Sequence, residues 1–334
     1  MSDLRETRKT TYEKWIEQEG ISIIEGYGVE DVASISRKPW PRMGGLGAFI
    51  QLKGMEGITG MYVAEIPPGK ALNPEKHLYE ELIYILKGIG STEVWVGNEP
   101  KRRFEWAEGS LFSPPLNTWH RLYNGSREPV IFVGFTNAPL VMDIFHNTDM
   151  VFSNDYVFTD RYQSQEDYFA VGERVDRGGP RCWVWNTNLI PDVRTAPIDP
   201  QERKGAGVHV TIFEMAENAL VGHMAEWPVG RYHKAHYHFG GAVLLILKSK
   251  GYTLMWPRDL GIHPFTDGHE GKVVRVNWQV GSVSGAPVAV FELPCGVLER
   301  KKARTLTGSS RSLPVVSVTT NDARAFQYSV AVSV

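Results

Sequence analysis

The sequence is poor in cysteine: Cys182 and Cys295 are the only two in 334 residues. That excludes a disulfide framework and a cysteine-rich zinc site. Charge of one sign is also lacking. The 36 Lys and Arg against 38 Asp and Glu leave a formal net charge of −2, so no general attraction to nucleic acid or to an anionic membrane is expected. No apolar run reaches the length of a membrane span. The N-terminus, MSDLRETRKTTYEKW, is polar and carries no apolar signal region. Together these absences point to a soluble cytoplasmic protein.

What the chain has is length and aromatic content. At 334 residues two domains are expected. The 10 Trp, 13 Tyr and 14 Phe suit aromatic-lined barrels. Short apolar runs bounded by Gly and Pro recur from residue 60 to 137, which is the pattern of an all-β domain. Residues 2–19 lack Gly and Pro, and Leu4, Tyr12, Trp15 and Ile16 form an apolar stripe expected on a short helix. Gly44-Gly45-Leu46-Gly47 precedes a strand rather than a helix and has no following Lys-Ser/Thr, so it is a poor phosphate loop.

Two stretches stand out. PGKALNPEKHLYEELIYILKG runs from Pro68 to Gly88 and carries Glu75, His77 and Glu81. These three are separated by even numbers of residues, so on a continuous strand they would share one face. GSLFSPPLNTWHRLYN runs from Gly109 to Asn124 and carries His120. Solvated carboxylates and an ordinary strand histidine would be the plainer account. Against it, Glu81 directly precedes Leu82-Ile83-Tyr84-Ile85-Leu86, which reads as buried, and a buried carboxylate costs several kcal/mol unless paired or metal-bound.

These stretches resemble the two motifs of the cupin family. Gly69, His77, Glu81 and Gly88 match the first, Gly-x5-His-x-His-x3-Glu-x6-Gly, with Glu75 where the first His belongs. Gly109, Pro115, His120 and Asn124 match the second, Gly-x5-Pro-x-Gly-x2-His-x3-Asn, with Asn117 replacing its Gly. The resemblance implies a jelly-roll barrel with a metal at its mouth, held by His77, Glu81 and His120. Glu75 is a fourth candidate ligand, an acid/base, or a solvent-facing residue.

The motif recurs. Gly230, His236, His238 and Gly251 repeat the first set, and Gly281 and Pro287 the second. The duplication implies an all-β bicupin: two tandem jelly-roll barrels with a short N-terminal helix and a long irregular connection. The expected division is an arm over 1–44, barrel 1 over 45–140 and a connection over 141–205. Barrel 2 follows over 206–300, and an atypical tail over 301–334. Barrel 2 departs from the pattern, with Ala242 at the Glu place and Glu292 at the second-motif His place. His236, His238 and Glu292 are therefore candidates of a degraded second site. His146, in the connection, is expected to play a hydrogen-bonding role.

Two His and one carboxylate leave open positions on an ion, as non-haem Fe(II) oxygenases require. The leading expectation is an Fe(II) dioxygenase acting on a small organic substrate, aromatic ones included. Trp95, Phe112, Trp119 and Tyr123 are the candidate pocket residues. The first alternative is an O2-independent decarboxylase, isomerase or lyase, with Glu75 or Glu80 carrying the proton. The second is a non-catalytic ligand-binding bicupin. Mn(II), Zn(II) or Ni(II) would also suit the ligand types, and fold does not choose among these activities. A homodimer is compatible with such a chain.

Overall fold

The computed structural model describes residues 9–170, 172–176, 183–200, 207–228, 235–237, 242–286, 290–296 and 326–333. It contains two barrels, each a large sheet facing a three-stranded one.

The N-terminal arm opens with α1 (Thr11–Gln18), started by a capping box between Thr10 and Glu13. Tyr12, Trp15 and Ile16 are its buried face, while Leu4 lies outside the described residues. Strands β1 (Ser22–Gly26), β2 (Gly28–Val29), β3 (Lys38–Trp40) and β4 (Gly45–Leu52) follow. Barrel 1 continues through β5 (Gly60–Ile66), β6 (Glu81–Lys87), β7 (Ile89–Trp95) and β8 (Arg102–Ala107). It is completed by β9 (Leu111–Phe112), β10 (Trp119–Asn124) and β11 (Val130–Thr136). The connection holds α2 (Ala138–Phe145), α3 (Thr148–Ser153), β12 (Glu173–Asp176), β13 (Trp183–Asn186) and β14 (Leu189–Ile190). Barrel 2 begins with β15 (His209–Glu214), β16 (Val221–Pro228), β17 (Ala242–Lys248) and β18 (Gly251–Pro257). It ends with β19 (Val274–Trp278), β20 (Val283–Ala286), β21 (Val290–Gly296) and β22 (Phe326–Ser333).

The large sheet of barrel 1 runs β1-β4-β5-β11-β6-β9-β14, with β3 on β4, and faces β10-β7-β8. That of barrel 2 runs β12-β13-β15-β16-β22-β17-β20-β2 and faces β19-β18-β21. Each large sheet borrows its last strand. The arm lends β2 to barrel 2, and the connection lends β14 to barrel 1. The connection is thus more regular than its sequence suggests, because its short apolar pieces find sheet edges to cover. The tail differs too. Its β22 lies between β16 and β17, so barrel 2 takes a central strand from beyond residue 300.

Strands β5, β6 and β11 are buried along nearly their whole length. Their two faces have different neighbours. Tyr62, Ala64, Ile83, Ile85 and Phe132 point into barrel 1. Met61, Val63, Leu82 and Tyr84 share a core with Phe213, Leu220, Met224, Val243 and Leu245 of barrel 2. The barrels therefore pack large sheet to large sheet, and the strands between them read as unbroken apolar runs.

One cation pins the arm onto barrel 1. Arg42 donates from Nε to Glu19 Oε2 at 2.9 Å and from Nη1 to Glu75 Oε2 at 2.5 Å. Its guanidinium lies 5.1–5.3 Å from the ring centroids of Trp15, Trp40 and Phe152. Trp40 Nε1 also donates to Glu19. Where α1 meets α2, Thr11 Oγ1 and His146 Nδ1 are 2.7 Å apart, so His146 holds the arm by a hydrogen bond. Arg42→Met strands two largely buried carboxylates and should cost about 3–5 kcal/mol in urea unfolding. Adding Glu75→Gln should return part of it, whereas a loss below about 1 kcal/mol would make the network a surface pair.

Candidate metal centre

The site lies inside barrel 1, at the start of β6. Glu81 is the first residue of that strand, and the pleat sends it inward with Ile83 and Ile85. His120 stands on β10 opposite Val94 and points inward by the same alternation, with Leu122. His77 precedes β6 on an irregular segment. The continuous strand on which Glu75, His77 and Glu81 would share a face does not form, since a single bridge between Glu75 and His120 is the only pairing at that point among the described residues.

His77, Glu81 and His120 each offer one ligand atom, all within 4.8 Å of one another. All three residues are buried, with relative exposures of 4%, 2% and 1%. His77 Nε2 lies 3.6 Å from Glu81 Oε2, and His120 Nε2 lies 3.8 Å from the same oxygen. These separations are too long for hydrogen bonds. Ligand atoms about 2.0–2.2 Å from one ion would stand roughly this far apart.

The other atoms of the ligands are already committed. His77 Nδ1 is 2.7 Å from the carbonyl of Tyr79, and His120 Nδ1 is 3.0 Å from that of Thr118. A carbonyl only accepts, so each Nδ1 carries a proton and each ring turns its Nε2 inward. Burial first, and then the neighbouring His77, push the His120 pKa below the usual histidine range, against the pull of Glu75 and Glu81. Glu81 Oε1 accepts from the Tyr62 hydroxyl at 2.5 Å. That leaves His77 Nε2, His120 Nε2 and Glu81 Oε2 buried with no hydrogen-bond partner among the described residues. One such atom costs about 1–3 kcal/mol; three aimed at one point are what a divalent cation would satisfy. The donor set, two imidazoles and a carboxylate without thiolate, fits such an ion.

Glu75 sits beside this set, with Oε1 at 3.8 Å from His120 Nε2 and Oε2 on Arg42. Burial raises its pKa, but Arg42, then His120 and His77, more than reverse that, and the group is held below the ordinary carboxylate range. Glu75 is thus a carboxylate anchored by a guanidinium at the edge of the site, and it is not grouped with the three candidate ligands.

Several expectations need correction. Glu80 is no proton carrier for this site, because it stands just before β6 and its carboxylate is taken up by groups away from the two histidines. Its oxygens accept from Ala219 N, Leu220 N and Asn137 Nδ2. Trp95, Trp119 and Tyr123 do not line a pocket either. On β7 and β10 they alternate with the inward Val94, His120 and Leu122. Trp95 and Trp119 stack on each other outside the barrel, and Lys101 and Lys76 cover them. Phe112 is fully buried, edge-on to Phe104, in the barrel core.

Of the side chains found around the ligands, Tyr62 and Arg42 lie outside the two motifs and Tyr79 lies within the first. Tyr62 reaches Glu81 because Gly134, its cross-strand partner, leaves room; a Cβ there would come within 2.3 Å of the Tyr62 ring. Tyr79 stacks on His77 with centroids 3.7 Å apart. Tyr62, Tyr79 and Arg42, with Tyr12, Trp15 and Trp40, line a small cavity under α1. An aromatic two residues past His77 was the one signal in reach, since nothing local marks Arg42 or Tyr62.

In barrel 2, Ala242 begins β17 as Glu81 begins β6, and it packs with Leu244 and Ala286 in an apolar cluster. Glu292 faces Met255 across β21 and β18, the register that pairs His120 with Val94 in barrel 1. Its side chain and all of His238 lie outside the described residues. His236 is described and partly buried, but it joins no ligand group among the described residues.

Residues 62–136 match the cupin domain family. No curated protein sequence matches the chain. Solved structures of oxalate decarboxylase share its fold. The Bacillus subtilis enzyme at pH 4.6 aligns at 12% identity and TM-score 0.52, over 93% of this chain and 76% of that one. A structure of the same enzyme, concerned with its Mn(II) centres, aligns at 12% identity and TM-score 0.53, over 93% and 77%. One concerned with the substrate binding mode of oxalate decarboxylase gives the same identity, coverage and score. Residues 62–136 are thus a cupin domain, and the chain as a whole has the two-barrel cupin fold.

Proposed function

We propose that barrel 1 is the metal-dependent active site of an O2-independent decarboxylase acting on a small carboxylic acid, with Mn(II) as its metal. The convergence of three partnerless ligand atoms carries the metal reading. Likeness to oxalate decarboxylase supports decarboxylation over the dioxygenase first expected. A bound Mn(II) would polarise a carboxylate and stabilise negative charge developing on its oxygens.

The chain's own residues supply the rest. Both histidines are held in one tautomer by backbone carbonyls, and Tyr62 fixes the rotation of the Glu81 carboxylate. Aromatic side chains, among them Tyr12 and Trp15 of α1, wall the small cavity beside these residues. Loss of CO2 leaves the bonding electron pair on carbon, which must then take a proton. Tyr62 is committed to Glu81, whereas the hydroxyl of Tyr79 has no hydrogen bond among the described residues, and Tyr79 lines the cavity. We assign the proton transfer to Tyr79, whose phenol is protonated at neutral pH. The same two-His-one-carboxylate set suits an Fe(II) dioxygenase, which remains the second reading.

Protein purified without a histidine tag should bind Mn(II) at a single strong site. His120→Ala should abolish that binding, while His236→Ala should leave it intact; equal loss from both would contradict the assignment to barrel 1. Mn(II)-loaded protein given short mono- and dicarboxylates, oxalate among them, should release CO2 anaerobically. Substrate-dependent O2 uptake, seen only with Fe(II), would favour the dioxygenase instead. Tyr79→Phe keeps the ring on His77, so it should retain Mn(II) and lose about 10²–10⁴ in turnover. Unchanged turnover would remove Tyr79 from the mechanism.

A further inference from the structure

The end of β6 that carries Glu81 is gripped by barrel 2. The turn joining β15 to β16 inserts its tip there, with Ala216 at φ 53° and Glu217 at φ 55°. The amides of Ala219 and Leu220 donate to Glu80 Oε1 and Oε2 at 2.9 and 3.0 Å. Asn218 Nδ2 donates to Ser113 Oγ at 2.8 Å, and Ser113 Oγ donates to the carbonyl of Glu81 at 2.7 Å. The carbonyl can only accept and the hydroxyl has one proton, so the order Asn218 to Ser113 to Glu81 follows from the chemistry. Glu80, Glu81, Ser113 and Asn218 are all buried.

Glu81 needs such support. It is the first residue of its strand, paired with Thr136 at the far end of β11, and ladder ends open most easily. A metal ligand, however, must be held within about 0.5 Å of its productive place. We propose that the β15–β16 turn of barrel 2 is a positioning element for the metal site of barrel 1. Asn218 acts through Ser113, and the two turn amides act through Glu80, to fix the backbone from which the Glu81 carboxylate reaches both Nε2 atoms. The inference rests on the metal reading of barrel 1. It gives barrel 2 a use although Ala242 occupies its own place for a carboxylate.

The test is Mn(II) titration by calorimetry, with the EPR spectrum of the bound ion, on the full chain. Asn218→Ala and Ser113→Ala should each weaken Mn(II) about tenfold and alter the spectrum. The double variant should be no weaker than either single, because the two residues form one link. Ile246→Ala, in the separate apolar cluster inside barrel 2, should lower the unfolding midpoint while leaving affinity and spectrum unchanged. Should Asn218→Ala not fold, the near-isosteric Asn218→Leu replaces it with the same expected shifts. Wild-type affinity and spectrum in the Asn218 variant, or additive losses in the double variant, would overturn the positioning role alone. No Mn(II) binding by the wild type would overturn the metal reading with it.

Discussion

The structure of barrel 1 depends on a carboxylate that burial alone cannot keep. Glu81 is 2% exposed, and one of its oxygens has no partner among the described residues. An isolated charge in such a place costs several kcal/mol, and it persists only where something compensates it. Tyr62 satisfies one oxygen. The other faces two imidazole nitrogens that are equally bare, and a cation shared by the three resolves all of them together. The surroundings are arranged to the same end: carbonyls set the histidine tautomers, Gly134 admits the Tyr62 ring, and Arg42 holds Glu75 beside the set.

The two faces of β6 explain how this centre is joined to the rest of the molecule. Glu81 opens the strand and serves the interior of barrel 1, while Glu80, the residue just before it, meets barrel 2 through the amides of Ala219 and Leu220. Two adjacent carboxylates, alike in sequence, end up with unrelated partners. The exchange of β2 and β14 between sheets adds to the joint. The shared core of Leu82, Tyr84, Phe213 and Val243 makes the large sheets one packed unit.

Much of the fold was legible in the sequence, because motif spacing and turn residues are local. Gly69, Gly88 and Gly109 adopt positive φ, the backbone state their motif positions demand. That His77, Glu81 and His120 come together was legible for the same reason, since each sits at a fixed distance from a turn. The pocket was not. Reading Trp95, Trp119 and Tyr123 as its lining ignored the strand alternation that turns His120 inward and them outward. Arg42 and Tyr62 come from segments with no motif, and only tertiary packing brings them to the ligands. The role of β22 was hidden because its partners, β16 and β17, lie about a hundred residues earlier in the chain.

The most direct test is diffraction from Mn(II)-soaked crystals with anomalous data at the manganese edge. The account predicts one strong peak in barrel 1, within coordination distance of His77 Nε2, His120 Nε2 and Glu81 Oε2. Those side chains found turned apart, with no peak between them, would contradict it.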